Sequence, residues 1–379
     1  MDLHNTYPGL VDLRQRAQQR IPKFVWEYLD SGTGQEATKA RNRKALDRIG
    51  FVPSILHGEF DPDLSTPLFG DTLPLPFGIA PVGMSGMIWP DAEAHLARAA
   101  GRAGIPYSLS TVATQTPEDI APHLVADGWF QMYPPRDEAI RTDMLNRART
   151  AGFSTLVLTV DVPVASRRER QTRSGLTLPP RLTPRLLAQV ALRPRWAFEM
   201  ARRGLPRMRT LEKYASEATT ALSSTAHVGY LLRTSPDWDY VAWLRDAWDG
   251  PLLIKGVLRA DDVPACEKIG VDGLWVSNHA GRQFDGAPAS IEALPRIRAE
   301  TKLPIIFDSG IEGGLDILRA LASGADFVML GRAFHFALAA LGHPGIDHLV
   351  DILRKDLIAN MGQLGARDLA SLPPPIVLS

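Results

Sequence analysis

The chain has 379 residues, 45% of them hydrophobic, which is enough to bury a core of ordinary size. Its 42 basic and 42 acidic residues balance, so no global field points to a nucleic acid. A single cysteine, Cys266, excludes an intrachain disulfide and a cysteine-rich metal site, and no window approaches the ~18 apolar residues of a membrane span. The first residues, MDLHNTYPGLVDLRQRAQQRIP, hold no apolar run and no cleavage signal. A cytosolic protein, or one held on the inner face of the cell membrane, is expected.

Residues 1–75 read as helical turns with proline-rich connections. Eight short apolar runs bounded by turn residues then follow, the pattern of parallel strands buried on both faces. They are Phe77–Pro81, Ile105–Ser110, Trp129–Tyr133, Thr155–Asp161, Leu252–Lys255, Gly273–Ser277, Pro304–Asp308 and Phe327–Leu330. Most are separated by segments with helical periodicity. Thr116-Pro117-Glu118-Asp119 is a helix start, with a hydroxyl cap, proline in the first turn and acids near the positive dipole end. Ser235-Pro236-Asp237 opens another helix, and Gly324 stops one. Eight strands alternating with helices over about 250 residues predict a (β/α)8 barrel; the rival is a doubly wound open sheet. The whole chain, 1–379, reads as one domain.

The gap between the fourth and fifth runs, nearly 90 residues, is far longer than the others. Within this insert (about 175–230), Arg181 to Thr210 carries eight arginines and one acid, Glu199. Leu182, Leu186, Leu187, Val190, Trp196, Phe198 and Met200 interleave with them, and prolines 184, 194 and 206 break the stretch into short helices. Basic amphipathic helices with aromatic anchors suit an anionic membrane surface, here through 178–212. The plain alternative is a solvated lid over the barrel mouth.

Functional side chains of barrels sit at the C-terminal strand ends. Polar groups end most of these runs: Ser110, Gln131 with Tyr133, Thr159 with Asp161, Lys255, Ser277 with His279, Asp308, and Gly331-Arg332. Capping explains any one of them; their convergence on one mouth is harder to explain that way. Gly310, Gly331 and Arg332 follow the last two strands, where barrels commonly bind phosphate. No G-x-G-x-x-G follows a strand and opens a helix, so a Rossmann nicotinamide site has no support. His279 with Asp161 suggests a base oriented by a carboxylate. Arg168 and Arg282 suit a substrate carboxylate. Lys255 reads as a Schiff-base nucleophile, a phosphate ligand or a fixed cation beside a cofactor ring.

The run Ser277-Asn278-His279-Ala280-Gly281-Arg282-Gln283-Phe284-Asp285-Gly286 resembles the signature of FMN-dependent 2-hydroxy-acid dehydrogenases and oxidases, which include lactate and mandelate dehydrogenases and glycolate oxidase. The resemblance runs from about residue 7 to 372. It includes Ile79-Ala80-Pro81-Val82-Gly83, Phe130-Gln131-Met132-Tyr133, Leu158-Thr159-Val160-Asp161, Leu253-Ile254-Lys255-Gly256 and Asp308-Ser309-Gly310. It implies FMN across the barrel mouth. Ala80, Pro81 and Val82 would line the flavin, and Ser110, Gln131 and Thr159 would bond its polar edge or ribityl chain. Lys255 would face the N1/O2 edge. Ser277, Asp308 and Ser309 complete the cofactor set, with the phosphate near Gly310, Gly331 and Arg332. Tyr28, Arg282 and Arg168 would hold the substrate carboxylate, and Tyr133 its hydroxyl. His279 would be the base, with Asp161 stabilising its imidazolium. A homotetramer is also implied.

Three departures bear on function. Glu312 stands where the family usually has an arginine near the phosphate. Val112 stands where glycolate oxidase-like members carry a large aromatic, leaving room for a bulkier substrate. Ala280 replaces the usual second glycine of the His motif. Gly83, which family dehydrogenases on membranes tend to share, and the basic insert favour a quinone or other electron-transport acceptor over oxygen. The competing expectations are an oxygen-dependent oxidase releasing hydrogen peroxide, a phosphate-sugar isomerase on the same barrel, and a catalytically weak flavin-binding protein docked on a membrane.

Overall fold

A computed structural model describes residues 2–124, 128–176, 183–215 and 234–378. Eight parallel strands close into a barrel: β1 (Phe77–Ile79), β2 (Tyr107–Ser110), β3 (Gly128–Met132), β4 (Phe153–Thr159), β5 (Leu252–Val257), β6 (Gly273–Val276), β7 (Ile305–Phe307) and β8 (Phe327–Leu330). Closure comes from β8 pairing β1, Val328 opposite Phe77 and Leu330 opposite Ile79. The open-sheet alternative is thereby excluded, because no strand edge is left. Trp129, Val157, Leu253, Trp275, Ile306, Phe327 and Met329 fill the interior. Helices cover the outside, so the strands are buried on both faces and read as continuous apolar runs.

The predicted helix starts are present. Thr116 and Asp119 form a reciprocal capping box, and Asp237 caps Trp238–Ala247. Gly324, at φ +112°, ends the turn after Gly314–Ala322. Cys266 is buried, and burial pushes its thiol up to about 11, as an inert core thiol requires.

Before the barrel come helices α1 (Leu10–Arg20), α2 (Lys23–Asp30) and α3 (Ala37–Asp47), then two elements beyond the sequence reading. Ile49–Gly50 pairs antiparallel with Ile376–Val377 near the C-terminus. Thr66–Leu68 pairs with Asp71–Leu73, and this hairpin places Leu68 in the interior cluster at the foot of the barrel.

The insert forms short helices at Pro184–Ala191, Pro194–Arg203 and Arg209–Ala215. The part of the membrane-contact expectation that falls on 178–182, with Arg181 and Leu182, and on 216–230 lies outside the described residues. The apolar residues elsewhere in the insert divide into two sets. Leu186, Trp196 and Met200 are buried; Trp196 packs edge-on against Phe24 and donates to the Ile88 carbonyl. Leu187, Leu192, Phe198 and Leu205 are 52–73% exposed. Among the described residues no helix is long and apolar enough to cross a membrane.

Candidate active site

A cavity of about 650 Å³ opens at the C-terminal ends of the strands. One end is built by the loops after β4 and β6 with α2 and the insert. His279 stands on the β6 loop, and its Nδ1 lies 3.0 and 3.2 Å from the two carboxylate oxygens of Asp161 on the β4 loop. Burial dominates the electrostatics of this pair. It pushes the imidazole below its ordinary range; Asp161 opposes that, and Lys255 adds to it. Burial would raise Asp161, yet His279 and Lys255 outweigh it and hold the carboxyl below the ordinary carboxylate value. The pair therefore rests as neutral imidazole with ionised carboxylate.

Tyr28, Tyr133, Arg168 and Arg282 line the same end. Arg282 donates to the carbonyls of Ser31 (2.8 Å) and Leu29 (3.3 Å), and Arg168 donates to Ser166 Oγ at 3.2 Å. Both guanidinium groups thus pair with no carboxylate among the described residues. Burial, with Arg168 next, lowers Arg282 to about 9. Two cations held against neutral oxygens leave their charge for an incoming anion. Tyr28 donates to the Gly83 carbonyl at 2.9 Å. Burial, reinforced by Asp161, raises the Tyr133 phenol, which stays a hydroxyl donor. Val112 and Met208 of the insert also line this end, so the insert helps to roof the pocket.

Along the middle, Ala80, Pro81 and Val82 form one wall. Lys255 is buried, with its Nζ 2.9 Å from Ser277 Oγ and 3.3 Å from Asp308 Oδ2. Behind the wall, Ser110 donates to Gln131 Oε1 at 2.7 Å and Gln131 donates to Thr159 Oγ1 at 3.0 Å. These three, with Ser277 and Asp161, are held by other side chains and do not themselves line the cavity. Ser309 donates to Asp308 and accepts the Ala280 N–H at 3.0 Å, tying the β7 loop to the His279 loop.

The far end is closed by Gly310, Gly331 and Arg332. Gly310 sits at φ +97°, which needs a glycine there. Arg332 donates to the Asp30 carbonyl at 3.2 Å and pairs with no carboxylate among the described residues. Every predicted site residue is thus at the mouth, either facing the cavity or directly behind its wall. The cavity is elongated, with a cationic end, a lysine edge and a second cationic end. That donor set fits a flavin mononucleotide beside a small carboxylate substrate.

Sequence reading missed the part played by α3. Asn42 and Asn278 exchange amide bonds of 2.8 and 2.6 Å, and Asn278 also accepts the Gly281 N–H. Lys39 lines the far end of the cavity. His335 was missed too: it bonds the Gly331 carbonyl at 2.8 Å and Ser85 Oγ at 2.7 Å, bracing the β8 loop against the β1 loop.

A family model described as FMN-dependent dehydrogenase matches residues 17–378. The chain belongs to the FMN-dependent 2-hydroxy-acid dehydrogenase family, and FMN is its cofactor. It is 40% identical over 364 residues to an L-lactate dehydrogenase of Stenotrophomonas maltophilia (strain R551-3), covering 95% of this chain and 96% of the relative. An L-lactate dehydrogenase of Acinetobacter baylyi is 39% identical over 364 residues, 95% of this chain and 94% of that one. Among solved structures, the monotopic membrane protein (S)-mandelate dehydrogenase superposes with a TM-score of 0.92 at 36% identity, covering 97% of each chain. A mandelate oxidase superposes at 0.82 with 32% identity, covering 98% of this chain and 99% of that one.

Proposed function

We propose that this enzyme oxidises an L-2-hydroxy acid of the lactate or mandelate type to the 2-oxo acid, and passes the electrons to a quinone or other electron-transport acceptor at a membrane surface. One observation carries the reading: His279, backed by Asp161, faces a pocket whose two guanidinium groups, Arg168 and Arg282, bond only neutral oxygens among the described residues. A base beside an unneutralised cation pair suits a substrate with a carboxylate next to the carbon being oxidised.

The oxidation removes two protons and two electrons from the substrate. When bound, FMN would accept the two electrons together with one of the protons. Arg282, Arg168 and Tyr28 hold the carboxylate, and the Tyr133 hydroxyl bonds the substrate hydroxyl. His279 presents Nδ1–H to Asp161, so Nε2 carries the lone pair that takes one substrate proton. Asp161 then stabilises the imidazolium. Lys255, fixed between Ser277 and Asp308, would place a positive charge beside the bound flavin. Ala80 to Val82 and the Ser309–Gly310 and Gly331–Arg332 turns would hold the cofactor, with Ser110, Gln131 and Thr159 acting from behind that wall.

Arg185, Arg195, Arg202 and Arg203 accompany the exposed Leu187, Leu192 and Phe198 on the insert, a basic amphipathic face suited to anionic lipid at the inner face of the cell membrane. The monotopic character of the mandelate dehydrogenase relative supports the same docking. A homotetramer built from single-domain chains is part of the proposal.

Anaerobic addition of lactate, mandelate, glycolate and longer 2-hydroxy acids tests the chemistry. The flavin absorbance bleaches with at least one of them, and His279→Ala retains yellow flavin without bleaching. Near-normal bleaching in that variant removes His279 from the mechanism. Rapid oxygen consumption with stoichiometric peroxide replaces the dehydrogenase reading with an oxidase. Liposome flotation of the intact chain and of a 178–212 deletion tests docking, and equal behaviour overturns it.

A further inference from the structure

Glu312 sets a carboxylate on the β7 loop where the family resemblance expects a cation. Three further cations line that end of the cavity, Arg14 of α1 and Lys39 and Arg43 of α3, but Arg43 is already paired with Asp47 and Asp316. They are engaged differently. Arg14 turns towards acids, 2.7 Å from Asp30 Oδ1 and 3.8 Å from Glu312 Oε1. Glu312 itself is half exposed, so this pair sits at the rim. Lys39 Nζ lies 2.6 Å from the Asp30 carbonyl oxygen and 3.0 Å from Asp30 Oδ2. Arg332 donates to that same carbonyl oxygen at 3.2 Å. One neutral oxygen therefore holds an ammonium and a guanidinium within about 6 Å of each other.

Such a pair is unfavourable on its own. Burial, and next the charge of Arg332, lower Lys39 from its ordinary value, and burial lowers Arg332. Glu36, 3.7 Å from Lys39 Nζ, is the second acid here, but Arg170 bonds both it and Asp30, and Arg14 also bonds Asp30, so neither carboxylate is left to Lys39 and Arg332 alone. Two partly buried cations converging beside the Gly310 and Gly331 turns make a place where a dianion relieves repulsion.

We propose that Lys39 is a phosphate ligand of FMN, forming with Arg332 a two-cation clamp that replaces from the N-terminal extension the charge absent at Glu312. The proposal rests on the reading that the phosphate lies at the Gly310, Gly331 and Arg332 end. It makes α3 part of the cofactor site, where the barrel loops alone fall one cation short.

Riboflavin carries the same ring and ribityl chain without the phosphate, so it separates the clamp from everything else. The apoprotein is titrated with FMN and with riboflavin, following quenching of flavin fluorescence. Lys39→Gln keeps an amide donor towards the Asp30 carbonyl and removes the charge. It is expected to weaken FMN about ten- to a hundredfold, with riboflavin changed less than about twofold. Lys39→Arg retains most of the FMN preference, and unfolding of each apoprotein checks that the fold is kept. Equal weakening of both flavins makes Lys39 only a brace for Asp30 and overturns the clamp. No change in Lys39→Gln, while Arg332→Met erases the FMN preference, overturns the clamp and leaves the phosphate end in place. An unchanged FMN preference in Arg332→Met overturns the location of the phosphate itself.

Discussion

Asp161 grips His279 from behind, both its carboxylate oxygens within 3.2 Å of Nδ1. This fixes the tautomer with Nε2 free and favours the imidazolium once a proton arrives. Asp161→Asn removes the charge and keeps the shape. Flavin reduction at pH 7 falls by about 10²- to 10⁴-fold with bound FMN retained, as losing a base's oriented carboxylate typically costs. Stopped-flow bleaching measures it, and a change under threefold sinks the relay.

The same pair sets the pH profile. The base works in its neutral form, so reduction rises with pH through the His279 pKa and is flat above it. Burial holds that pKa below the ordinary value near 6.5. The rise therefore falls on the acid side of 6.5, and neutral solution lies on the plateau. Asp161 is the influence that pulls the pKa up, so Asp161→Asn moves the rise to still lower pH. A shift in the opposite direction rejects the electrostatic assignment.

Gly83 and Val112 meet at the substrate end. A Cβ on residue 83 would stand 2.4 Å from Val112 Cγ2, closer than real atoms allow. Gly83→Ala must therefore push Val112 into the pocket. Its KM for a bulky substrate such as mandelate is expected to rise about tenfold or more, with a smaller change for lactate. Val112→Ala in the same chain opens the space again and recovers most of the loss. Strict additivity of the two changes in kcat/KM rules out the contact.

The barrel was legible because its strands are buried on both faces and leave unbroken apolar runs, such as Leu252–Lys255. The strand-end chemistry was legible because His279, Lys255 and Asp308 stand at the ends of those runs. Elements without a pattern of their own were not. Ile49–Gly50 is two residues long and exists because the C-terminal Ile376–Val377 returns to it. Asn42 looks like any polar residue of an exposed helix, since its partner lies 236 positions away. Helical periodicity announced amphipathic insert helices without telling Trp196, which packs on Phe24, from Phe198, which faces solvent.

Asn42 is also where the N-terminal extension reaches the His279 loop. It donates to Asn278 Oδ1 and accepts from Asn278 Nδ2, both within the buried interior. Asn42→Leu leaves those two amide positions unmatched. A loss of about 2–3 kcal/mol of stability is expected, alongside a fall in kcat, because Asn278 also caps the turn at Gly281. Chemical denaturation and flavin reduction read the two effects. Unchanged kcat with lost stability confines Asn42 to the fold.

Glu312 offers the converse experiment to removing a cation. It lines the cavity, and among the described residues its carboxylate has no short hydrogen-bonded partner, with Arg14 at 3.8 Å. Its charge opposes an incoming phosphate, yet its half-exposed position screens the effect, which limits the penalty to about 1 kcal/mol. Glu312→Arg is therefore expected to tighten FMN about fivefold at low salt, and the gain shrinks as ionic strength rises and the Debye length falls to about 8 Å. Gel filtration followed by flavin absorbance reads retention, and fluorescence titration reads affinity. Riboflavin affinity stays level, because it brings no phosphate to meet the new charge. An FMN affinity unchanged at low salt means that Glu312 points away from the phosphate and that the cations of α1 and α3 already balance that end of the site.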